Sequence, residues 1–187
     1  MLRLNVIVAS TRPGRVGKTV GDWFHEFARE HGAFDVRWVD LADFDLPVFD
    51  EPRHPRQQNY QHAHTKRWAA SVEAADAYVF VVPEYNFGPT PALLNALNYV
   101  YHEWGYKPAA FVSYGGASGG LRSVQVTKLT LTTLKVMPIF EQVSIPMVND
   151  HIQDGTFVPT EQHEKSGGAM LQELHRWAAA LQPMRVG

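Results

Sequence analysis

The chain contains no cysteine in its 187 residues. That absence excludes a disulfide scaffold, a cysteine-based metal site and a thiol nucleophile together. Any redox chemistry must therefore sit on a bound cofactor. An excess of charge of one sign is also missing, since the formal net charge is -2. Such a balance gives neither the basic field of a nucleic-acid binder nor attraction to an acidic membrane surface. No apolar run approaches the ~20 residues that cross a bilayer. A strand pattern begins at Leu2 with no charged-then-apolar leader, so no signal peptide is expected and a soluble, cytoplasmic protein is the default. Internal repeats, low-complexity tracts and interdomain linkers are lacking, and the length suits one domain over residues 1–187.

What is present alternates short β-like runs with helical patterns, as expected for a parallel sheet covered on both faces. Strands are predicted at Leu2–Ala9, Val36–Leu41, Ala77–Val82, Ala109–Ser113 and, briefly, Gln142–Ile145. Helices are predicted at Gly17–His31 with Gly32 as the stop, Gln61–Ala75, Pro91–Trp104, Leu121–Met137 and Glu161–Leu181. Thr90 and Pro91 read as cap and first turn of the third helix, which is expected to bury Leu93, Leu94, Leu97 and Tyr101. The proline-punctuated segment Asp45–Asn59 is long enough to suggest function or mobility. Such β/α units favour an α/β, doubly wound, five-stranded sheet. The flavodoxin-like order 2-1-3-4-5 is one of its two common solutions.

Ligands of such sheets bind outside the carboxyl ends of the strands, and the three chemically unusual segments of this chain fall there. After the first strand come Ser10, Thr11, Arg12, Arg15, Val16, Gly17 and Lys18, with hydroxyls, three cations and a helix start that suit a phosphate. Gly17-Lys18-Thr19 matches the end of a nucleotide-triphosphatase P-loop, but Arg12 occupies the position where that motif needs glycine. After the third strand, Pro83, Glu84, Tyr85, Asn86, Phe87 and Gly88 place aromatics and amide groups where a flat ring could lie. Glu84 has no sequence neighbour that would make it a general acid or base. After the fourth, Ser113–Gly120 holds four glycines and two serines, which lets backbone approach a ligand closely. A phosphate site beside a cleft for a flat heteroaromatic ring describes a mononucleotide, and FMN is the expected occupant of such a sheet.

Ala9-Ser-Thr-Arg12, Pro83-Glu-Tyr-Asn-Phe-Gly88, the run Pro91–Trp104, Lys107-Pro108 and Val112-Ser-Tyr-Gly-Gly116 resemble the NADPH-dependent FMN reductase family, from Leu2 to about Met137. That family includes quinone, azo and chromate reductases of flavodoxin-like fold that form homodimers and sometimes tetramers. The resemblance implies that Ser10, Thr11 and Arg12 take the FMN phosphate, with Val16 and Gly17 near it. It implies that Pro83, Glu84, Tyr85, Asn86 and Phe87 border the ribityl chain and ring, and that Ser113, Gly115 and Gly116 lie along the ring's far edge. Ala9 and Gly17-Lys18 depart from the family pattern, and Lys18 would compensate electrostatically at the phosphate.

The expected activity is transfer of hydride from NADPH or NADH to FMN, then of electrons to a quinone-like or other small oxidised acceptor, by ping-pong kinetics. The protein would supply position, stacking and backbone hydrogen bonds, with no catalytic side chain of its own. The alternatives are a flavodoxin-type electron carrier, a flavin-binding sensor or partner-binding protein, and a P-loop-like nucleotide binder. Nine histidines, His54, His62 and His64 among them, match no metal-binding spacing and read as solvated loop residues. Arg53 and Arg56 could meet the adenosine phosphate of NADPH across a dimer, although solvated loop charge is the simpler reading.

Overall fold

The run Ala77-Tyr-Val-Phe-Val-Val-Pro83 is buried at every position and forms the central strand β3. A run this apolar can satisfy its backbone only between two other strands and its side chains only between two layers of helix. In this computed structural model, which describes residues 1–185, β1 (Arg3–Val8), β2 (Asp35–Asp40), β4 (Pro108–Tyr114) and β5 (Met137–Ile145) complete that sheet. Its order is β2-β1-β3-β4-β5 with every neighbouring pair parallel, the flavodoxin-like order expected.

Alternation along the strands assigns the layers. Val6, Val8, Val79, Val81 and Val112 pack under α1 (Gly17–His31) and α6 (Glu161–Leu181), against Val20, Phe24, Leu171 and Leu174. Ile7, Phe80, Val82 and Phe111 face the other way. They meet Trp68 and Val72 of α3 (Ala63–Glu73), Leu93 and Leu97 of α4 (Pro91–Tyr99), and Val124 and Leu131 of α5 (Leu121–Thr133). Two elements lie outside the sequence expectation. One is the four-residue helix α2 (Leu41–Phe44), and the other is an antiparallel hairpin of β6 (Ile152–Gln153) and β7 (Thr156–Phe157) inside the polar segment before α6. Its Asp154-Gly155 turn has positive φ at both residues, as a two-residue hairpin requires.

Helix α4 stops at Tyr99 rather than Trp104, because Glu103 draws the chain inward. The buried Glu103 carboxylate accepts the Tyr60 hydroxyl at 3.0 Å, the Gln58 amide at 3.2 Å and the Tyr101 N–H at 3.1 Å. A short 3-10 turn, His102–Trp104, then drives the Trp104 ring into the core beside Tyr78 and Trp68. Leu94 and Tyr101, expected in the core, are only half-buried. Helix α5 ends at Thr133 before a left-handed Lys135, which frees Met137–Ile145 to form a longer fifth strand than expected. Lys107 closes the C-terminal end of α3, donating to the carbonyls of Val72, Glu73 and Glu103, and burial lowers its pKa to about 8.

The long segment after α2 is fastened rather than loose. Asn95 and Tyr99 of α4 donate to the Pro47 carbonyl, and the Phe49 N–H donates to the Asn95 side chain. Asp50 accepts from Tyr99 and contacts His64, whose ring stacks on His62. Glu51, buried, accepts the N–H groups of Gln61 at 2.8 Å and His62 at 3.0 Å. Helix α3 has no cap from its own N-cap residue, so this carboxylate serves in its place. Among the described residues no helix is long and apolar enough to cross a membrane.

Burial alone would raise the pKa of Glu51, but the N–H donors at α3 outweigh it and hold the carboxyl below the ordinary glutamate value. A depressed folded-state pKa contributes stability that is present above the unfolded value and lost as pH falls through the folded one. Glu51→Gln should therefore cost about 1 kcal/mol at neutral pH, measured by urea unfolding. The gap to wild type should close below the ordinary glutamate pKa of about 4.3. A gap independent of pH would refute the capping role.

Candidate functional site

Strands β1, β3 and β4 end level, with Val8 opposite Val81 and Val82 opposite Ser113. The loops that follow them therefore meet at one edge. Thr90 locks the first two together. Its hydroxyl donates to the Ala9 carbonyl at 2.6 Å and accepts the Leu93 N–H at 3.1 Å, so the residue that caps α4 also holds the end of β1.

In the first loop, Ser10 is buried and accepts the Tyr114 hydroxyl at 3.2 Å. Burial raises the Tyr114 pKa, which keeps that phenol a donor. The serine's own proton is left free to be donated outward. A Cβ at Gly17 would overlap the hydroxyls of both Tyr114 and Ser10, so glycine here is the condition for seating α1 against β4. Thr11 and Arg12 are exposed, Val16 is half-buried, and the N–H groups of Ser10, Thr11, Arg12, Gly14 and Arg15 have no protein acceptor among the described residues. Helix α1 starts with neither a side-chain cap nor an acidic residue in its first turn.

The three cations of this loop have different fates. Arg15 pairs with Asp40, and both side chains are largely buried. Asp40 also caps α2 by accepting the Ala42 N–H at 3.0 Å. Lys18, expected at the phosphate, pairs instead with Asp22 one turn along α1 at 3.0 Å and is exposed. Among the described residues Arg12 has no carboxylate partner.

The second loop turns back on itself within four residues, through the paired bonds Tyr85 N–H to Gly88 O (2.9 Å) and Gly88 N–H to Tyr85 O (3.0 Å). Asn86 and Phe87 sit at φ 50° and 67°. Asparagine tolerates this left-handed region, but a phenylalanine there is strained and needs outside support. Support comes from the Arg122 guanidinium, 3.8 Å from the centroid of the Phe87 ring, which is otherwise 65% exposed. Pro83 is buried and Tyr85 half-buried.

Glu84 is the most heavily bonded side chain of the site. Its carboxylate, 7% exposed, accepts from Arg122 Nη2 at 2.6 Å and Nε at 2.7 Å, from the Arg122 N–H at 3.1 Å and from the Ser118 hydroxyl at 2.9 Å. Burial pushes its pKa up, but these donors outweigh burial and hold it below the ordinary glutamate value. It is thus a fixed anion at the start of α5, a helix whose own N-cap is Gly120 without a side chain.

In the third loop, Gly120 brings α5 against the strand end, where a Cβ would meet the Tyr114 backbone at 2.8 Å. Gly115 commits both its backbone groups to the end of β5 and the turn after it, donating to Ile145 and accepting from Val148. The exposed Gly116 N–H has no protein acceptor among the described residues. Ser113 is fully buried with its hydroxyl unpartnered. The edge thus combines a bare helix start, an uncommitted Arg12 and free backbone N–H groups. Those are the donors that a phosphate ester and the polar rim of a flavin require, so the residues fit FMN.

Sequence reasoning passed over Tyr114, Ser118, Arg122 and the Arg15–Asp40 pair. Arg122 did leave a signal. A cation in the first turn of a helix opposes the helix dipole, and its place there implies a carboxylate partner.

Residues 2–150 match the family described as NADPH-dependent FMN reductase. An NAD(P)H-dependent FMN reductase of Schizosaccharomyces pombe is 35% identical over 171 residues, covering 90% of this chain and 84% of that protein. A second protein of that description, from a Nectria species, is 34% identical over 152 residues, covering 78% and 76%. Among solved structures, the flavoenzyme NAD(P)H:(acceptor) oxidoreductase FerB of Paracoccus denitrificans superposes with a TM-score of 0.76 over 96% of this chain and 98% of that one, and at 18% identity it speaks to the fold alone. With the family match covering most of the chain, the protein belongs to the NADPH-dependent FMN reductase family.

Proposed function

We propose that the three loops hold FMN with its phosphate at the start of α1, and that the protein passes electrons from NADPH or NADH to quinone-like or other small oxidised acceptors. The observation that carries this reading is the bare N-terminus of α1 beside Arg12. When bound, FMN supplies the hydride- and electron-accepting centre. The chain's residues bind and orient. Ser10, Thr11, Arg12 and the N–H groups up to Gly17 take the phosphate, with Val16 beside it. Pro83, Glu84, Tyr85, Asn86 and Phe87 border the ribityl chain and ring, and Gly115 and Gly116 line its far edge, with Ser113 fully buried behind them. Glu84 orients from behind, since all its bonds run to Ser118 and Arg122. Gly115 contributes shape rather than donors, because its N–H is already given to Ile145.

Both substrates would use one open face in turn, with Phe87 as a flat apolar wall at its rim. The exposed Val126 and Leu129 on α5 support a homodimer. Sedimentation should give twice the chain mass, and a monomer or tetramer would revise this point.

Arg12→Ala should weaken FMN binding by about 1.5–3 kcal/mol, read by titrating the apoprotein and following flavin fluorescence. Lys18→Ala should weaken binding less, because Lys18 is exposed and already shares its charge with Asp22. Equal losses in the two variants would overturn the phosphate placement. Steady-state rates with varied NADPH and quinone should give parallel double-reciprocal lines, whereas intersecting lines would mean a ternary complex. Bleaching of the flavin by NADPH within the turnover time separates this enzyme from an electron carrier that does not use nicotinamide.

A further inference from the structure

We infer that Arg122 is a positioning residue for the cofactor loops, acting through Glu84 on one side and Phe87 on the other. The inference rests on the reading that these loops hold FMN. One guanidinium performs two tasks with different parts. Its edge grips the Glu84 carboxylate through Nη2 and Nε, and its face lies 3.8 Å from the centre of the Phe87 ring. Arg122 stands in α5, beyond the third loop, whereas Glu84 and Phe87 belong to the second. The two loops that would border the ring on opposite sides are therefore joined through one side chain.

The grip has directional consequences. Glu84 follows Pro83, which lies opposite Tyr114 in the β3–β4 register, so fixing its carboxylate fixes where the chain leaves the sheet. Phe87 sits at φ 67°, a conformation that phenylalanine resists. Stacking on a partly desolvated guanidinium offsets that strain and holds the Tyr85–Gly88 turn in its tight form. Ser118 adds a third point by donating to Glu84 from within the third loop. The guanidinium meets Oε1 alone, while Oε2 is taken by the Arg122 N–H and Ser118, so a lysine at position 122 could supply that one ionic contact but not the flat face.

The test uses the full chain with FMN. Arg122→Gln should weaken FMN binding about tenfold or more, and at saturating FMN it should still show an altered visible spectrum of bound flavin and a lower kcat. Arg122→Lys should recover part of each. Phe87→Gly removes the stack together with Phe87's own contact at the ring, so the double variant decides between the two roles. If the stack is how Arg122 holds the turn, the double variant loses clearly less than the sum of the two single losses. A spectrum and kcat that return fully to wild type at saturating FMN would reduce Arg122 to a stability role and overturn the inference, as would additive losses in the double variant. Wild-type protein that fails to bind FMN would instead refute the parent reading.

Discussion

The start of an α-helix leaves N–H groups without partners, and the shape of this protein's functional edge follows from where each helix finds acceptors for them. Five of the six helices find an acceptor in the chain itself. Asp40 serves α2, Glu51 serves α3, Thr90 serves α4, Glu84 serves α5, and a Thr160–His163 capping box serves α6. Two of these acceptors come from remote loops, because His62 and Gly120 at the N-cap positions of α3 and α5 give no side-chain bond. The exception among the described helices is α1. Its start is the one that faces the edge where three loops converge, and it has neither a side-chain cap nor an acidic residue in its first turn.

Keeping those donors free depends on where the nearby charges go. Three cations stand between positions 12 and 18, and a bare helix start beside three uncompensated charges would repel itself and attract any anion. Asp40 removes Arg15, and Asp22 partly offsets the exposed Lys18. The Arg15–Asp40 pair is largely buried, so its value is geometric more than energetic. It fastens the loop after β1 to the end of β2 and to the cap of α2. What remains without a carboxylate partner among the described residues is Arg12, beside the buried serine and the backbone. Charge is set by Arg12 and shape by Arg15, a division of labour that a count of basic residues does not reveal.

The same physics explains what could be read from the sequence. The strands and most helices followed from apolar periodicity, which is local and therefore legible, and the strand order followed from one of the two common solutions for a doubly wound sheet. Ser10, Glu84, Phe87 and Ser113 were picked out because unusual residues fell after strands. The partners of Ser10, Glu84 and Phe87 lie 34 to 104 residues away, as in Glu84–Ser118 and Ser10–Tyr114, and no local pattern encodes such separations. The end of α4 was misjudged for a related reason. Helical spacing continues through Tyr101 and Trp104, but the tertiary pull of Tyr60 and Gln58 on Glu103 breaks the helix first. The hairpin before α6 was hidden in polar residues, and it is held by Phe157, whose N–H donates to Thr19 and whose ring packs on Trp23.

The Gly17-Lys18-Thr19 sequence is where a local pattern misleads most, and its three residues show why. A P-loop needs glycine so that backbone can wrap a triphosphate, lysine to reach the outer phosphates, and a hydroxyl for magnesium. Here Gly17 is glycine because Tyr114 and Ser10 occupy the space of its Cβ. Lys18 points to Asp22 along the helix, and the Thr19 hydroxyl accepts the Phe157 N–H at 2.8 Å. Gly17 and Thr19 are thus engaged in seating α1, and Lys18 lies on the exposed face of that helix. An anchor built from one helix start, one serine and one arginine has the capacity of a single phosphate ester. The larger part of any ligand must then lie over the second and third loops, where the Glu84–Arg122 grip governs how rigidly it is held.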